Sequence, residues 1–134
     1  MQTPKPPTED DFASAARLRE ALRAFQRRSD EVSAANGLTS RTAQLLLMIK
    51  TARSGNGHAS LRELEERLQL GKSTITELVL RTEKRGLVRR KLDRDRPGAI
   101  CVRLTPTGER RLAGVVGELG DERRRLTQVL SKLR

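Results

Sequence analysis

Apolar positions along this chain follow a helical rhythm almost throughout, and a two-residue alternation at only one place. Met1 to Pro7 holds three of the five prolines and reads as a disordered lead-in. Thr8 then caps a helix, with Glu9, Asp10 and Asp11 at the positive end of its dipole. That helix is expected to run to about Asn36-Gly37. Along it Ala15, Leu18, Leu22, Phe25 and Val32 recur on one face, Ser29 fills the remaining slot, and Arg17, Arg19, Arg23, Arg27 and Arg28 lie mostly off it. Such a helix can pack on its own domain or pair with the same helix of a second subunit. Thr39 opens the next helix, whose run Leu45 to Ile49 is apolar almost all round and therefore central to a core; it is expected to end near Arg53. Ser54 to His58 is a loop, since Asn56-Gly57 has no strand-like run on either side.

The chain is organised around residues 60 to 105. Ser60 and Glu63 have the spacing of a capping box, and Leu61, Leu64 and Leu68 follow at helical intervals. Leu70-Gly71 breaks the period. Lys72 to Arg85 resumes it with Ile75, Leu78 and Val79 inward, and Gly86 stops it. Two helices joined by a tight Gly-containing turn form a helix-turn-helix, whose second helix offers Lys72, Ser73, Thr74 and Thr76 at its N-terminal end. Next comes the alternation: Leu87 to Leu92, a charged tip from Asp93 to Gly98, then Ala99 to Thr105, which together read as a hairpin. A helix-turn-helix followed by a basic hairpin is a winged helix.

After the hairpin, Pro106 takes the first position of a last helix capped by Thr105. Leu112, Val115, Leu119, Leu126, Val129 and Leu133 alternate at three and four residues, with Glu122 the polar member of the series. The spacing predicts one coiled-coil seam over about three heptads. Gly114, Gly117 and Gly120 weaken it by about 1 kcal/mol each relative to Ala, so it needs packing against the first helix and a partner subunit, or a hairpin within the chain.

These segments carry a family resemblance. Leu64-Glu65-Glu66-Arg67-Leu68, Ser73 to Val79, Gly86-Leu87-Val88-Arg89-Arg90 and Leu104-Thr105-Pro106-Thr107-Gly108, in this order and spacing, resemble the MarR family of bacterial transcription regulators. The resemblance implies a homodimer on pseudo-palindromic operator DNA, often a repressor, and in many members released by a small-molecule effector or an oxidant. Three departures stand out. Gly71 sits where many relatives place a capping Ser, the tip Asp93-Arg94-Asp95-Arg96-Pro97-Gly98 has Pro97 and Gly98 where relatives carry two arginines, and the C-terminal region looks shorter than the usual two helices. The expected fold is mainly α (α+β), a winged helix-turn-helix over 38–105. The expected flanks are a lead-in at 1–7, an N-terminal dimerisation helix at 8–37 and a C-terminal one at 106–134. Lys72, Ser73, Thr74, Thr76 and Glu77 would face the major groove. Arg81, Arg85, Arg89, Arg90 and Lys91 would hold phosphates, and Arg94 or Arg96 would enter the minor groove. Leu18, Leu22 and Phe25 with Leu112, Val115, Leu119, Leu126, Val129 and Leu133 would form the dimer contact.

Composition and charge agree with this reading. In 134 residues there are two Phe and neither Trp nor Tyr, so the core must be aliphatic. The formal charge is +11, and residues 81 to 96 hold eight basic side chains against three acids, the imbalance of a polyanion binder. On a winged helix this favours double-stranded DNA over the bland alternative of a solvated surface. A nonspecific nucleoid protein, or a protein-interaction module acting as an anti-regulator, would use the same fold. No apolar run approaches the roughly 20 residues of a membrane span, so the expected location is the cytoplasm, on the nucleoid. One Cys with one His cannot close a four-ligand zinc site, and no cofactor is expected. Gly71-Lys72-Ser73 resembles the end of a phosphate loop, but Glu66 stands where that loop needs Gly. Nothing could serve as a base for His58 or Cys101, so an enzyme is not expected. Cys101 shares a strand face with Arg103 and reads either as a redox-sensing thiolate or as a small neutral side chain on a partly covered strand.

Overall fold

The structure is a computed structural model that describes residues 4–133. Of the expected lead-in, residues 1–3 lie outside the described residues, and Pro4 to Pro7 belong to no helix or strand. Helix α1 (Glu9–Ala35) starts where expected. Asp11 N–H donates to the Thr8 hydroxyl at 3.1 Å and Thr8 N–H donates to the Asp11 carboxylate at 2.8 Å, a reciprocal box that satisfies two end donors. The chain turns at Gly37, whose φ of 74° suits glycine. Helix α2 (Ser40–Lys50), capped by Thr39, ends three residues before the expected Arg53.

Helices α3 (Leu61–Leu68) and α4 (Lys72–Lys84) are joined through Gln69, which is left-handed at φ 54°, and Gly71. Ser60 accepts the Glu63 N–H at 3.0 Å, but the expected return bond is not made. The Glu63 carboxylate is taken instead by the Arg53 N–H and by Arg67, each at 3.0 Å. Arg67 also donates to the carbonyls of Met48 at 2.9 Å and Thr51 at 3.1 Å, closing the C-terminal end of α2 onto α3. Beside it Arg53 donates to Glu66 at 2.9 Å, and that bond lowers the Glu66 carboxyl below its ordinary pKa.

Strands β2 (Val88–Leu92) and β3 (Ile100–Leu104) form the hairpin in register Val88↔Leu104 to Leu92↔Ile100. A strand the pattern did not reveal, β1 (Ala59–Ser60), pairs with β3, giving the antiparallel order β1-β3-β2. Two residues are too few to show alternation, so β1 exists only because β3 is there to pair with. Leu45, Leu46, Ile49, Leu64, Ile75, Val79, Leu87, Val88 and Val102 fill one aliphatic core beneath this sheet.

The single C-terminal helix expected over 106–134 is two helices: α5 (Pro106–Glu118) and α6 (Gly120–Lys132). Leu119, at φ −89° and ψ 7°, breaks the run between Gly117 and Gly120, where glycine makes leaving the helix inexpensive. The seam therefore changes partner. Leu112, Val115 and Leu119 are buried in the core of the lobe, while Leu126, Val129 and Leu133 are half-buried on the one covered face of α6, which packs mainly on α1. Gly114 and Gly108 turn out to be close-approach residues. A Cβ at Gly114 would stand 2.1 Å from the Asn36 amide oxygen, and one at Gly108 would stand 2.2 Å from the Leu87 carbonyl oxygen.

The face of α1 also differs from expectation. Ser14, Leu18, Ala21, Phe25 and Ser29 are half-covered and Val32 is buried, whereas Ala15 and Leu22 point to solvent together with Phe12. Among the described residues no helix is long and apolar enough to cross a membrane.

Candidate nucleic-acid interface

Helix α4 is anchored by Ile75, Leu78, Val79 and Thr82, which point inward, and this fixes what its outer face shows. Gly71 provides no side-chain cap, so the N–H groups of the first turn stay open. Lys72, Ser73 and Glu77 are exposed there, and Thr74 and Thr76 are half-exposed. Among the described residues the side chains of Lys72, Ser73, Thr74 and Thr76 have no hydrogen-bond partner. Glu77 lies 3.8 Å from Arg81 across one helical turn, an exposed pair of little energetic weight.

The wing adds cations with alternating direction. Val88, Arg90 and Leu92 share one face of β2, of which only Val88 reaches the core and Leu92 is 75% exposed, and Arg89 and Lys91 share the other face. Arg103 of β3 stands directly opposite Arg89, so two like charges meet across the strand pair without an acid between them. At the tip the Asp93 carboxylate accepts the Asp95 N–H at 2.9 Å, Asp93 N–H donates to the Ala99 carbonyl at 2.9 Å, and Gly98 takes φ 81°. This turn presents Arg94 and Arg96 to solvent. Their side chains, like those of Arg89, Lys91 and Arg103, form no ion pair or hydrogen bond among the described residues.

The expected DNA contacts thus divide in two. Lys72, Ser73, Thr74, Thr76, Arg89, Lys91, Arg94 and Arg96 lie along the outer edge of α4 and the wing with free side chains. Arg85 donates to the Gly37 carbonyl at 3.0 Å, Arg90 is held by Glu83 at 2.9 Å, and Arg81 and Glu77 pair with each other at 3.8 Å. Sequence reasoning missed Arg103: alternation placed it on one face with Cys101, and only the strand register sets it opposite Arg89. It also missed Leu80, an exposed leucine four residues after Thr76 on the same helical stripe.

A groove of about 730 Å³ separates the wing from the loop before β1. Its walls carry both signs of charge, with Glu63, Asp93 and Asp95 facing Lys91, Arg94 and Arg96. Cys101 lines its floor but is buried, flanked by Ser60 of β1 and Lys91 of β2, which fits the small neutral side chain rather than an open thiolate. His58 is half-buried in the loop. Among the described residues no cluster of His, Cys, Asp and Glu could hold a metal ion.

Comparison with known proteins agrees with this geometry. A sequence model of the MarR family matches residues 36–96, from the turn after α1 to the wing tip. AbsC, a MarR family transcriptional regulator from Streptomyces coelicolor, is similar in structure with a TM-score of 0.78 at 19% identity, over 95% of this chain and 84% of that one. A MarR family protein from Bacillus stearothermophilus gives 0.71 at 26% identity, over 96% and 86%. A mutant MarR from E. coli complexed with operator DNA gives 0.70 at 19% identity, over 92% and 86%. No curated protein matches the sequence.

Proposed function

We propose that the chain is a winged-helix transcription regulator of the MarR family, that it binds pseudo-palindromic operator DNA as a homodimer and that it represses transcription from it, in the cytoplasm on the nucleoid; the family model over residues 36–96 and the shared fold support this reading. The observation that carries this reading is the row of partner-free polar and cationic side chains along α4 and the wing. Their neighbours Arg85 and Arg90 are used up by contacts within the chain. Among the described residues, cations without an ion pair also occur on α1, as Arg17, Arg19 and Arg23, but on α4 and the wing they stand together with free hydroxyl side chains, and a phosphate backbone is the partner that such an edge suits. A MarR of the same fold has been crystallised on operator DNA.

In the proposed complex α4 enters the major groove with its open N-terminal end. Lys72 and Ser73 meet phosphate or base edges, Thr74 and Thr76 read bases, and Glu77 accepts from a cytosine amino group. Arg89 and Lys91 hold phosphates. Arg94 and Arg96 follow the minor groove, where narrow A·T segments attract arginine. The second subunit docks on the uncovered apolar stripe of α1, with Phe12 and Leu22, and on Leu130 of α6.

The test is a titration against a duplex selected from random DNA and against its scrambled form, at several salt concentrations. Thr76→Ala is expected to cost about 1–3 kcal/mol on the selected duplex and little on the scrambled one. Arg89→Ala should weaken both alike and lower the salt slope by about 1 per contact, or roughly 2 per dimer. Equal proportional losses for both variants on both duplexes would make the chain a nonspecific nucleoid protein. Binding to neither duplex, with an acidic protein co-purifying instead, would make it an anti-regulator.

A further inference from the structure

Glu83 belongs to no DNA contact, yet both of its carboxylate oxygens are engaged by one residue of the wing. Oε2 accepts the Arg90 backbone N–H at 3.1 Å, and Oε1 accepts the Arg90 side-chain Nε–H at 2.9 Å. The backbone bond follows from the sheet. β2 is an edge strand, paired on one side only with β3. Thr105 N–H donates to the Leu87 carbonyl and Asp93 N–H donates to the Ala99 carbonyl. Inward bonding therefore falls on residues 87, 89, 91 and 93 of the antiparallel ladder, and the N–H of Arg90 points out from the free edge. The last turn of α4 passes that edge, and Glu83 closes it.

We infer that Glu83 is a positioning residue that latches the wing to the end of the recognition helix through Arg90, so that the two DNA-reading elements hold a set angle. The inference rests on the DNA-binding reading above and deepens it. A side-chain pair that is 42% and 30% exposed adds little to stability as a plain surface ion pair. Its importance lies in leverage. Arg94 and Arg96 lie in the turn beyond the end of β2 at Leu92, roughly 10–15 Å from the latch, so a tilt of about 10° at Arg90 moves them by about 2–3 Å. The minor groove they would enter is only about 6 Å wide. The latch also explains why Arg90, alone of the cations on β2, is not free to meet a phosphate: its charge and its backbone are both committed to α4.

Coulombic reasoning and positioning predict opposite signs for the same substitution. Removing a carboxylate from a basic DNA-facing surface should tighten DNA binding by charge alone, whereas removing a latch should weaken it. The experiment compares the parent with Glu83→Ala, Glu83→Gln, Arg94→Ala/Arg96→Ala and the triple variant Glu83→Ala/Arg94→Ala/Arg96→Ala. It uses the full chain, the duplex selected from random DNA, and amide exchange of the DNA-free protein. Glu83→Ala should weaken binding to the selected duplex about tenfold, near the cost of one lost contact. It should also speed exchange of the Arg90 amide and shift the melting temperature by no more than about 4 °C. Glu83→Gln, which keeps one acceptor oxygen, should lose less. In the background without Arg94 and Arg96 the substitution should cost little more, because a latch acts only through the tip it aims. Unchanged or tighter binding by Glu83→Ala overturns the inference, and so does a full additional loss in the triple variant. A parent that binds no duplex overturns the DNA-binding reading itself, an outcome read from the parent alone and so distinct from any difference between variant and parent.

Discussion

The winged-helix lobe and the helices that flank it are built on different terms. From α2 to β3 each element contributes to a common aliphatic core, and Leu45, Leu46, Ile49, Leu64, Ile75, Leu87 and Val102 lose all their accessible surface. The flanking pair α1 and α6 meets along one thin seam. In the 27 residues of α1 only Val32 and Ser33 are buried, and both lie in its last turn beside the lobe. Phe12 remains 60% exposed, Leu22 40% and Leu130 45%. The lobe buries most of its hydrophobic side chains and leaves Leu47, Leu80 and Leu92 exposed, whereas the long helix α1 buries almost none of its own. Exposed apolar side chains on the flanking helices are suited to a contact with a second copy of the chain. Even the polar groups of the seam are half-provided: Glu122 meets Arg28 at 3.4 Å through one oxygen, while the other is buried without a partner.

The contrast is sharpest in what a truncation should do. Ile75→Ala empties a fully buried site in α4 and is expected to lower unfolding free energy by about 2–5 kcal/mol in denaturant titration. Leu22→Ala on the open stripe should cost a monomer less than about 0.5 kcal/mol. Comparable losses at the two positions would mean that the helical arm is as fully packed as the lobe.

Charge on the open stripe tests the arm in the opposite sense. Leu22→Glu combined with Leu130→Glu should raise the dimer dissociation constant by about a hundredfold, near 2.7 kcal/mol, without unfolding the lobe. Sedimentation of the double variant reads this, and an unchanged dimer would move the contact elsewhere on the chain. Leu126→Glu is a poorer probe, because Leu126 lies on the face of α6 already packed within the subunit.

The joint between the two regions should respond next. Gly108→Ala forces a Cβ against the Leu87 carbonyl, and α5 must shift away from the strand entrance. The expected loss is about 1–3 kcal/mol, measured by thermal or chemical unfolding. A neutral result would show that α5 can slide on the lobe, so that the two regions are less rigidly joined than their contact suggests. The smallest effect is local to the lobe. Ser60→Ala removes the acceptor for the Glu63 N–H and should cost about 1 kcal/mol, read in the same unfolding titration.

How legible all this was depends on whether the signal was local. Thr8, Thr39, Ser60, Thr105 and Pro106 announced the helix starts, since a cap is a contact between residues three apart, and all five stand where the sequence placed them. The inward set Ile75, Leu78 and Val79 followed from period alone, because a regular element has one buried face and the apolar residues must occupy it. The cations of the wing were legible as a basic run, but not which of them are held.

Other features needed the fold. The six apolar positions from Leu112 to Leu133 keep a heptad spacing across Leu119, and spacing cannot reveal that the first three face the lobe and the last three face α1. Gly114 reads as a weak point in a helix until Asn36 is seen against it. Ala15, Leu18 and Leu22 are equivalent by period, and only the position of α6 decides that Leu18 is covered and Leu22 is open. Glu83 and Arg90 are seven residues apart on different elements, so their bond depends on the turn at Gly86 bringing a strand edge beside a helix end. The sequence by itself determined the helix starts, the helix-turn-helix and hairpin, and the buried face of α4, because caps and periodicity act over three or four residues. Tertiary structure decided which apolar faces stay open and which arginine is held, because those depend on distances between elements that no local pattern encodes.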